Sequence, residues 1–340
     1  MRKRFLILFS SSLILVVLTI LYIWKAKTDS FFLNNKKWIT LETDIPQQEL
    51  LEKLKKDSVI SEKNALQWNA LSSLKSFETA KKGKYLVNKN TPINGLINTF
   101  RSGNQTPIMV KVDGVRTIYQ LAGSLGKQLL ADSSDFIEEF KNPERLSKFK
   151  IGIENLSGLI LPNVYDFYWT VSPKEFMERM EQIHTDFWNG DRIEQLKEIN
   201  LTKFEAITLA SIVKGETVKK EEAPKIAGLY LNRLKKGMKL EADPTVSFAK
   251  QLKGAERIYH ADLTFDSPYN TYKNVGLPPG PIFFTEPVYI EAVLDAEKHS
   301  YVFMCAQPGA TGLHDFSETY AKHLQFAKAY HRWLNENNIR

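Results

Sequence analysis

Thr202-Lys-Phe-Glu-Ala-Ile-Thr-Leu-Ala-Ser-Ile-Val-Lys-Gly-Glu-Thr217 opens with a threonine three residues ahead of a glutamate. That is the spacing of a capping box, in which each side chain satisfies the other residue's backbone N–H. The predicted helix runs to about residue 218. Leu209, Ile212, Val213 and Glu216 fall at spacings that share one helical face, so the carboxyl of Glu216 continues an apolar stripe. Desolvation disfavours a charged carboxylate, and the unsatisfied carbonyls of a last turn act in the same direction. A glutamate held neutral near pH 7 is suited to donating a proton. Pattern alone leaves the ordinary alternative open, a solvated glutamate at a helix end.

Outward from this segment, the chain after about residue 150 reads as mainly helical. Ser172-Pro-Lys-Glu175 is a second capping box with proline at the first helical position, and Phe176, Met177, Met180, Ile183, Phe187 and Trp188 follow as one stripe. A helix is predicted from about residue 224 to 236, where Gly237 suits the C-terminal stop. Two more are predicted over 285–298 and 317–335, with a β-hairpin between them formed by 301–307 and 313–316. Residues 38–148 alternate short strand and helix patterns: strands at 38–41, 85–87 and 107–112, amphipathic helices at 47–56 and 93–100. The fold class expected is therefore α+β, with a small α+β module ahead of a mainly helical domain.

The 340 residues carry 43% hydrophobic and 25% charged side chains, an ordinary globular balance. The start differs. Met-Arg-Lys-Arg4 precedes an uncharged stretch over residues 5–24, which as a helix rising about 1.5 Å per residue matches a hydrocarbon layer of roughly 30 Å. It exceeds the usual length of a signal-peptide core, and no small-residue cleavage site follows, so a retained single-pass anchor is expected. Arg2, Lys3 and Arg4 outnumber Lys25 and Lys27 and hold the N-terminus in the cytoplasm. The bulk of the chain then lies on the periplasmic, extracytoplasmic side of the cell inner membrane. The expected organisation is 1–27 cytoplasmic end and transmembrane helix, 28–37 stalk, 38–148 first module, 149–340 second domain.

The net charge of +7 is spread thinly. It is compatible with an anionic membrane surface, and the lack of an arginine-rich stripe with interleaved aromatics argues against nucleic acid as a partner. Cys305 is the single cysteine, so no intrachain disulfide is possible, and its apolar strand context reads as a small buried hydrophobe. The six histidines lack metal-ligand spacing, and no phosphate-cradling glycine loop occurs. No metal and no cofactor is expected.

Further motifs follow the opening segment. Ser267-Pro-Tyr-Asn-Thr-Tyr272 and Gly276-Leu-Pro-Pro-Gly-Pro-Ile282 put amides and aromatic faces on proline-stiffened loops, which suits a preformed sugar cleft as well as an ordered loop packed by its own tyrosines. Asp243-Pro244 is a possible second carboxylate and also a common helix start. Taken with Ala210-Ser-Ile-Val-Lys-Gly-Glu-Thr217, Tyr230-Leu-Asn-Arg-Leu234, Leu240-Glu-Ala-Asp-Pro-Thr-Val246 and Gly312-Leu-His-Asp-Phe316, these motifs resemble, in order and spacing, the MltG (YceG-like) endolytic murein transglycosylase family. The resemblance covers roughly residue 156 to the C-terminus. Lys82-Gly-Lys-Tyr85 and the helix after it resemble the family's LysM-like domain more loosely.

The resemblance implies a membrane-anchored lytic transglycosylase. Such an enzyme cuts the β-1,4 bond between N-acetylmuramic acid and N-acetylglucosamine inside nascent peptidoglycan strands, leaves 1,6-anhydro ends, and works beside peptidoglycan polymerases. Glu216 matches the family's catalytic glutamate. Thr217, Asn232, Asp243, Tyr269, Asn270 and Tyr272 are candidate substrate contacts, and Arg233 is a candidate salt-bridge partner. Two positions depart from the family pattern, Lys214 where a glutamate is usual and Ser157 in Leu156-Ser-Gly158. A hydrolytic muramidase and an inactive peptidoglycan-binding scaffold remain as alternatives.

Overall fold

The structure, a computed structural model, describes residues 14, 16–18, 36–88, 91–252 and 258–338. Most of the expected membrane span falls outside the described residues. Among those described, no helix is long and apolar enough to cross a membrane. The chain divides into two compact units, one of residues 36–110 with 128–130 and 166–171, the other of 111–127, 131–165 and 172–338.

The first unit runs β1 (Lys37–Leu41), β2 (Ile45–Pro46), α1 (Gln47–Lys56), α2 (Glu62–Leu74), β3 (Thr79–Ala80), β4 (Gly83–Val87) and α3 (Ile93–Ser102). β1 pairs antiparallel with β4, with Ile39 opposite Tyr85, and β2 pairs with β3. Alternation sends Ile39, Leu41, Tyr85 and Val87 inward against Leu50, Leu54, Trp68 and Phe100. The polar ends of the buried aromatics are satisfied: Trp68 Nε1 donates to Gln47 Oε1 at 2.8 Å, and Tyr85 Oη to the Lys81 carbonyl at 2.7 Å. Gly103 closes α3 in the left-handed region at φ 71°. α2 has no clean sequence stripe because Leu66 and Leu74 stand exposed beside buried Trp68 and Leu71.

After β5 (Ile108–Val112), the chain continues through α4 (Ile118–Gln128), α5 (Ser133–Phe140), α6 (Pro143–Phe149), a 3-10 turn at Ile153–Asn155, α7 (Leu156–Leu159), β6 (Asn163–Phe167), α8 (Pro173–Phe187) and α9 (Asp191–Ile199), all within the second unit except Gln128, the last two residues of β6 and the first three of β5. The expected break at 148/149 lies inside this unit. The physical reason is packing: the Phe136 ring of α5 meets Phe176 of α8 edge-on at 5.7 Å, and α6 supplies Arg145 and Lys148 to buried Glu181 of α8. α6 lacks any buried side chain, which hides its allegiance from a hydrophobic pattern.

The remaining elements surround one helix. They are α10 (Lys203–Glu216), α11 (Ala223–Lys235), α12 (Asp243–Ala249), α13 (Pro287–Leu294), β7 (Phe303–Ala306), β8 (His314–Ser317) and α14 (Tyr320–Glu336). Both predicted capping boxes are present, at Ser172/Glu175 and Thr202/Glu205. Along α10 every residue from 206 to 213 is buried, with α7, α11, α12 and α13 packed around it. The helix is thus enclosed on all sides rather than along one stripe. Its two buried hydroxyls bond back onto their own helix, Thr208 to the Phe204 carbonyl and Ser211 to the Thr208 carbonyl, each at 2.7 Å. β7 and β8 form the expected hairpin, with Met304 opposite Phe316. The helices around it are shorter than predicted: Ser317 is taken by β8, and the chain after Leu294 is tied by the Glu297 N–H to the Pro224 carbonyl at 3.0 Å.

Ser211 carries a second duty, since its hydroxyl accepts the buried N–H of Ile282 at 3.0 Å. Ser211→Ala gains roughly 0.5 kcal/mol of helix propensity but strands that donor, at a cost of about 1–3 kcal/mol. The loss wins, so the variant unfolds at lower urea concentration than wild type. Equal or greater stability would show that the Ile282 N–H finds another partner.

Candidate functional site

Glu216 is the last residue of α10, and Thr217 follows in extended conformation as its C-cap, with its N–H on the Val213 carbonyl at 3.2 Å. The helix end is held close to its neighbour. A Cβ on Gly215 would lie 2.5 Å from the Pro244 Cβ and 3.0 Å from the Phe283 ring, so only glycine allows α12 to seat here. Pro244 at the first turn of α12 brings Asp243 to the same place. Lys214 points elsewhere, onto Glu286 Oε2 and the Phe284 carbonyl at 2.7 Å each, so its departure from the family pattern leaves the Glu216 carboxyl untouched.

The cleft over Glu216 has a volume of about 360 Å³. Its lining includes Tyr230 and Arg233 from α11, Asp243, Tyr272, the strand β7, His314, Tyr320 and His323. Tyr230 Oη donates to Glu216 Oε1 at 2.7 Å, and Tyr272 Oη donates to Asp243 Oδ1 at 2.6 Å. Arg233 is buried and spends its donors on the carbonyls of Val302, Lys239 and Leu240 and on Glu241 Oε2, at 2.7–3.0 Å. A second cavity of about 510 Å³ shares Glu216, Ala306 and His314 with the first in its walls; its lining includes residues 215–218, the hairpin loop, and Tyr330, Trp333 and Leu334 of α14.

Burial pushes the Glu216 carboxyl up from its ordinary 4.5 to about 7. The Tyr230 hydrogen bond opposes this, the nearby Asp243 charge adds to it, and the Arg233 charge opposes it. The residue as a whole is partly exposed to the cleft, but the surroundings of its carboxyl are dense with protein. Burial, the hydrogen bond to Asp243 and the charges of Asp243, Glu216 and Glu241 also drive the Tyr272 hydroxyl up, so it stays a donor throughout the physiological range. Because Glu216 holds its proton more tightly folded than unfolded, its contribution to stability is complete below about pH 4.5 and is lost as pH rises through about 7.

The structure thus brings Glu216, Asp243 and Tyr272 together, and places Thr217 at the rim of the second cavity with its hydroxyl accepting the Lys219 N–H. Three expected contacts lie elsewhere. Asn232 gives its amide hydrogens to the carbonyls of His299 and Tyr301 at 2.7 and 3.0 Å. Asn270, fully buried, holds its own loop through the Leu263 and Phe265 carbonyls and the Tyr272 N–H. Tyr269 packs on Phe248, ring centres 4.8 Å apart. None of the three is among the residues lining either cavity.

Sequence reasoning missed Tyr230 and His314 as cleft residues. Tyr230 and Arg233, one helical turn apart, carry a usable signal, since both face the cleft from α11. His314 lies in the Gly312-Leu-His-Asp-Phe316 motif, but its partner was hidden: its Nδ1 lies 2.9 Å from Glu222 Oε2, 92 residues away and brought near by the hairpin. Among the described residues no cluster of three His, Cys, Asp or Glu side chains is arranged to hold a metal ion.

One desolvated carboxyl, raised to about 7, thus stands in the walls of two neighbouring cavities, which is the kind of perturbed group that functional sites use. The YceG-like family model matches residues 39–329, and the chain belongs to that family. An endolytic murein transglycosylase of Bacillus subtilis (strain 168) is 30% identical over 298 residues, which span 83% of this chain and 81% of that protein. Another, from Streptococcus pneumoniae serotype 2, is 26% identical over 312 residues; the match covers 80% of this chain and 55% of that longer one. The crystal structure of a yceG-like protein from Listeria monocytogenes superposes with a TM-score of 0.55 at 25% identity, covering 85% of this chain and 98% of the other.

The electrostatics make two predictions of opposite sign. Tyr230→Phe removes a donor that favours the carboxylate and raises the Glu216 pKa above about 7; Asp243→Asn removes a repelling charge and lowers it. Carboxyl chemical shifts followed by NMR across pH 4–10 read both. Movement in the same direction would mean that Tyr230 and Asp243 do not act on Glu216 as the geometry requires.

Proposed function

We propose that the protein is an endolytic peptidoglycan lytic transglycosylase, with Glu216 serving as both acid and base. The observation that carries this reading is a single carboxyl, raised to about 7 by burial, at the floor of the cleft. Protonated Glu216 gives its proton to the glycosidic oxygen between N-acetylmuramic acid and N-acetylglucosamine as the C1–O bond breaks. The resulting carboxylate takes the proton from the muramic C6 hydroxyl while that oxygen closes on C1. Water does not enter, and the product is a 1,6-anhydro end. One carboxyl suffices for this sequence, whereas hydrolysis by the usual route needs two flanking the bond. Asp243, engaged by the Tyr272 hydroxyl, supports the cycle by keeping Glu216 protonated.

The first unit serves as a LysM-like glycan-binding module. Its support is the self-contained β1-α1-α2-β4 arrangement with its own core and the Lys82-Gly-Lys-Tyr85 motif. The uncharged stretch over residues 5–24 serves as a single-pass inner-membrane anchor that leaves the cleft outside the cytoplasm, next to strands emerging from peptidoglycan polymerases. The support for this is the length of the stretch and the arginine and lysine bias around it. An N-terminal sequence of the native protein beginning beyond residue 24 would overturn the anchor.

Glu216→Gln keeps the shape of the site and loses the proton, so release of anhydro-muropeptides from purified glycan strands falls by at least about 10²–10⁴. In wild type, kcat/KM declines as pH rises past about 7, where the acid is lost. Mass spectrometry of products with thermal unfolding alongside reads both effects. A folded variant with near wild-type release moves the chemistry off Glu216, and reducing ends without anhydro sugar identify hydrolysis.

A further inference from the structure

The second cavity is not needed to describe proton transfer, yet it opens from the same carboxyl. Its outer wall is α14, a helix of 17 residues that buries none of its side chains fully. Large aromatics on a helix usually earn their place by burial. Here Tyr330 and Trp333, one turn apart, stand partly exposed over the cavity with ring centres 6.0 Å apart and planes within 26° of parallel. Leu334, Leu313 and strongly exposed Val218 complete an apolar rim. Apart from Glu216 and His314 at the junction, no charged side chain lines this arm, whereas the first arm carries Arg233, Glu241 and Asp243.

We infer that Tyr330 and Trp333 form a stacking platform for a pyranose ring of the glycan strand beyond the scissile bond. The chemistry is specific to sugars. A pyranose offers an apolar C–H face and a polar rim, and an uncharged aromatic wall matches the face without competing for the hydroxyls. The cavity and the cleft share Glu216, Ala306 and His314 in their walls, so a strand laid across the carboxyl has both arms within reach. A site filled on both sides of the bond selects interior bonds over chain ends. His314, held by both oxygens of buried Glu222 through its ring and its N–H, fixes the hairpin loop against the junction and keeps this arm open.

The inference rests on the glycan-cleaving reading, and a binding experiment separates the two. Full-length Glu216→Gln is titrated with peptide-free glycan strands while the Trp333 indole N–H is followed by NMR, with Trp333→Phe identifying its signal. The expected result is a saturable shift of that signal, and affinity about 10-fold weaker in Glu216→Gln/Trp333→Ala, a loss typical of a truncated aromatic anchor. In the active protein Trp333→Ala raises KM for long strands about 10-fold with a much smaller change in kcat, and Trp333→Phe recovers most of it. An unshifted indole, or unchanged affinity and KM in folded Trp333→Ala, overturns the platform. Strand binding with a shifted indole in a protein that releases no anhydro ends keeps the platform and removes the proposed reaction.

Discussion

Enclosing α10 on every side is the constraint from which the site follows. Eight consecutive residues from Ala206 to Val213 are removed from water, and the helix leaves that environment only at its two ends, in the capped first turn and in the last. Glu216 therefore emerges where solvent is scarce and the dielectric low, and its ionisation is costly. The neighbours set the balance finely. Tyr230 favours the anion, Asp243 opposes it, and Arg233, neutralised in part by Glu241 and by backbone carbonyls, contributes weakly. Near pH 7 the carboxyl is then able both to give a proton and to take one back.

The same constraint explains a choice of small residues. Gly215 admits Pro244 to the helix surface at a distance no side chain would permit, and this contact carries Asp243 and its partner Tyr272 toward the carboxyl. Ser211 fixes the proline-rich loop from the other side by accepting the Ile282 N–H. The loop that looked in sequence like a sugar-binding surface is mostly a device for rigidity: Asn270 serves its own turn, Thr271 and Thr245 bond each other at 2.9 Å, and Tyr272 alone reaches the cleft.

Much of this was legible in the sequence where the determinants were local. Two capping boxes placed the starts of α8 and α10, and the predicted helix over 47–56 coincides with α1. The spacing of Glu216 to Leu209, Ile212 and Val213 put its carboxyl on the buried face, and the linked motifs downstream singled it out from an ordinary helix-end glutamate. What was not legible depended on distant partners. The helices between 118 and 149 join the second unit through Phe136 on Phe176 and through Glu181, neither of which has a signature near those helices in the chain. Asn232 resembled a substrate ligand because nothing in its own helix reveals carbonyls 67 and 69 residues away.

The two walls of the cleft differ in mechanical character. The floor is a helix clamped by four others, whereas the opposite face is a two-stranded hairpin, which has little stability of its own and leans on α14 and on the Arg233 contact to Val302. Local opening is easiest where buried contacts are few. A clamped floor holds the carboxyl in place while the hairpin is the part of the wall with fewest buried contacts to resist displacement, so positional accuracy and mechanical give are assigned to different parts of one groove.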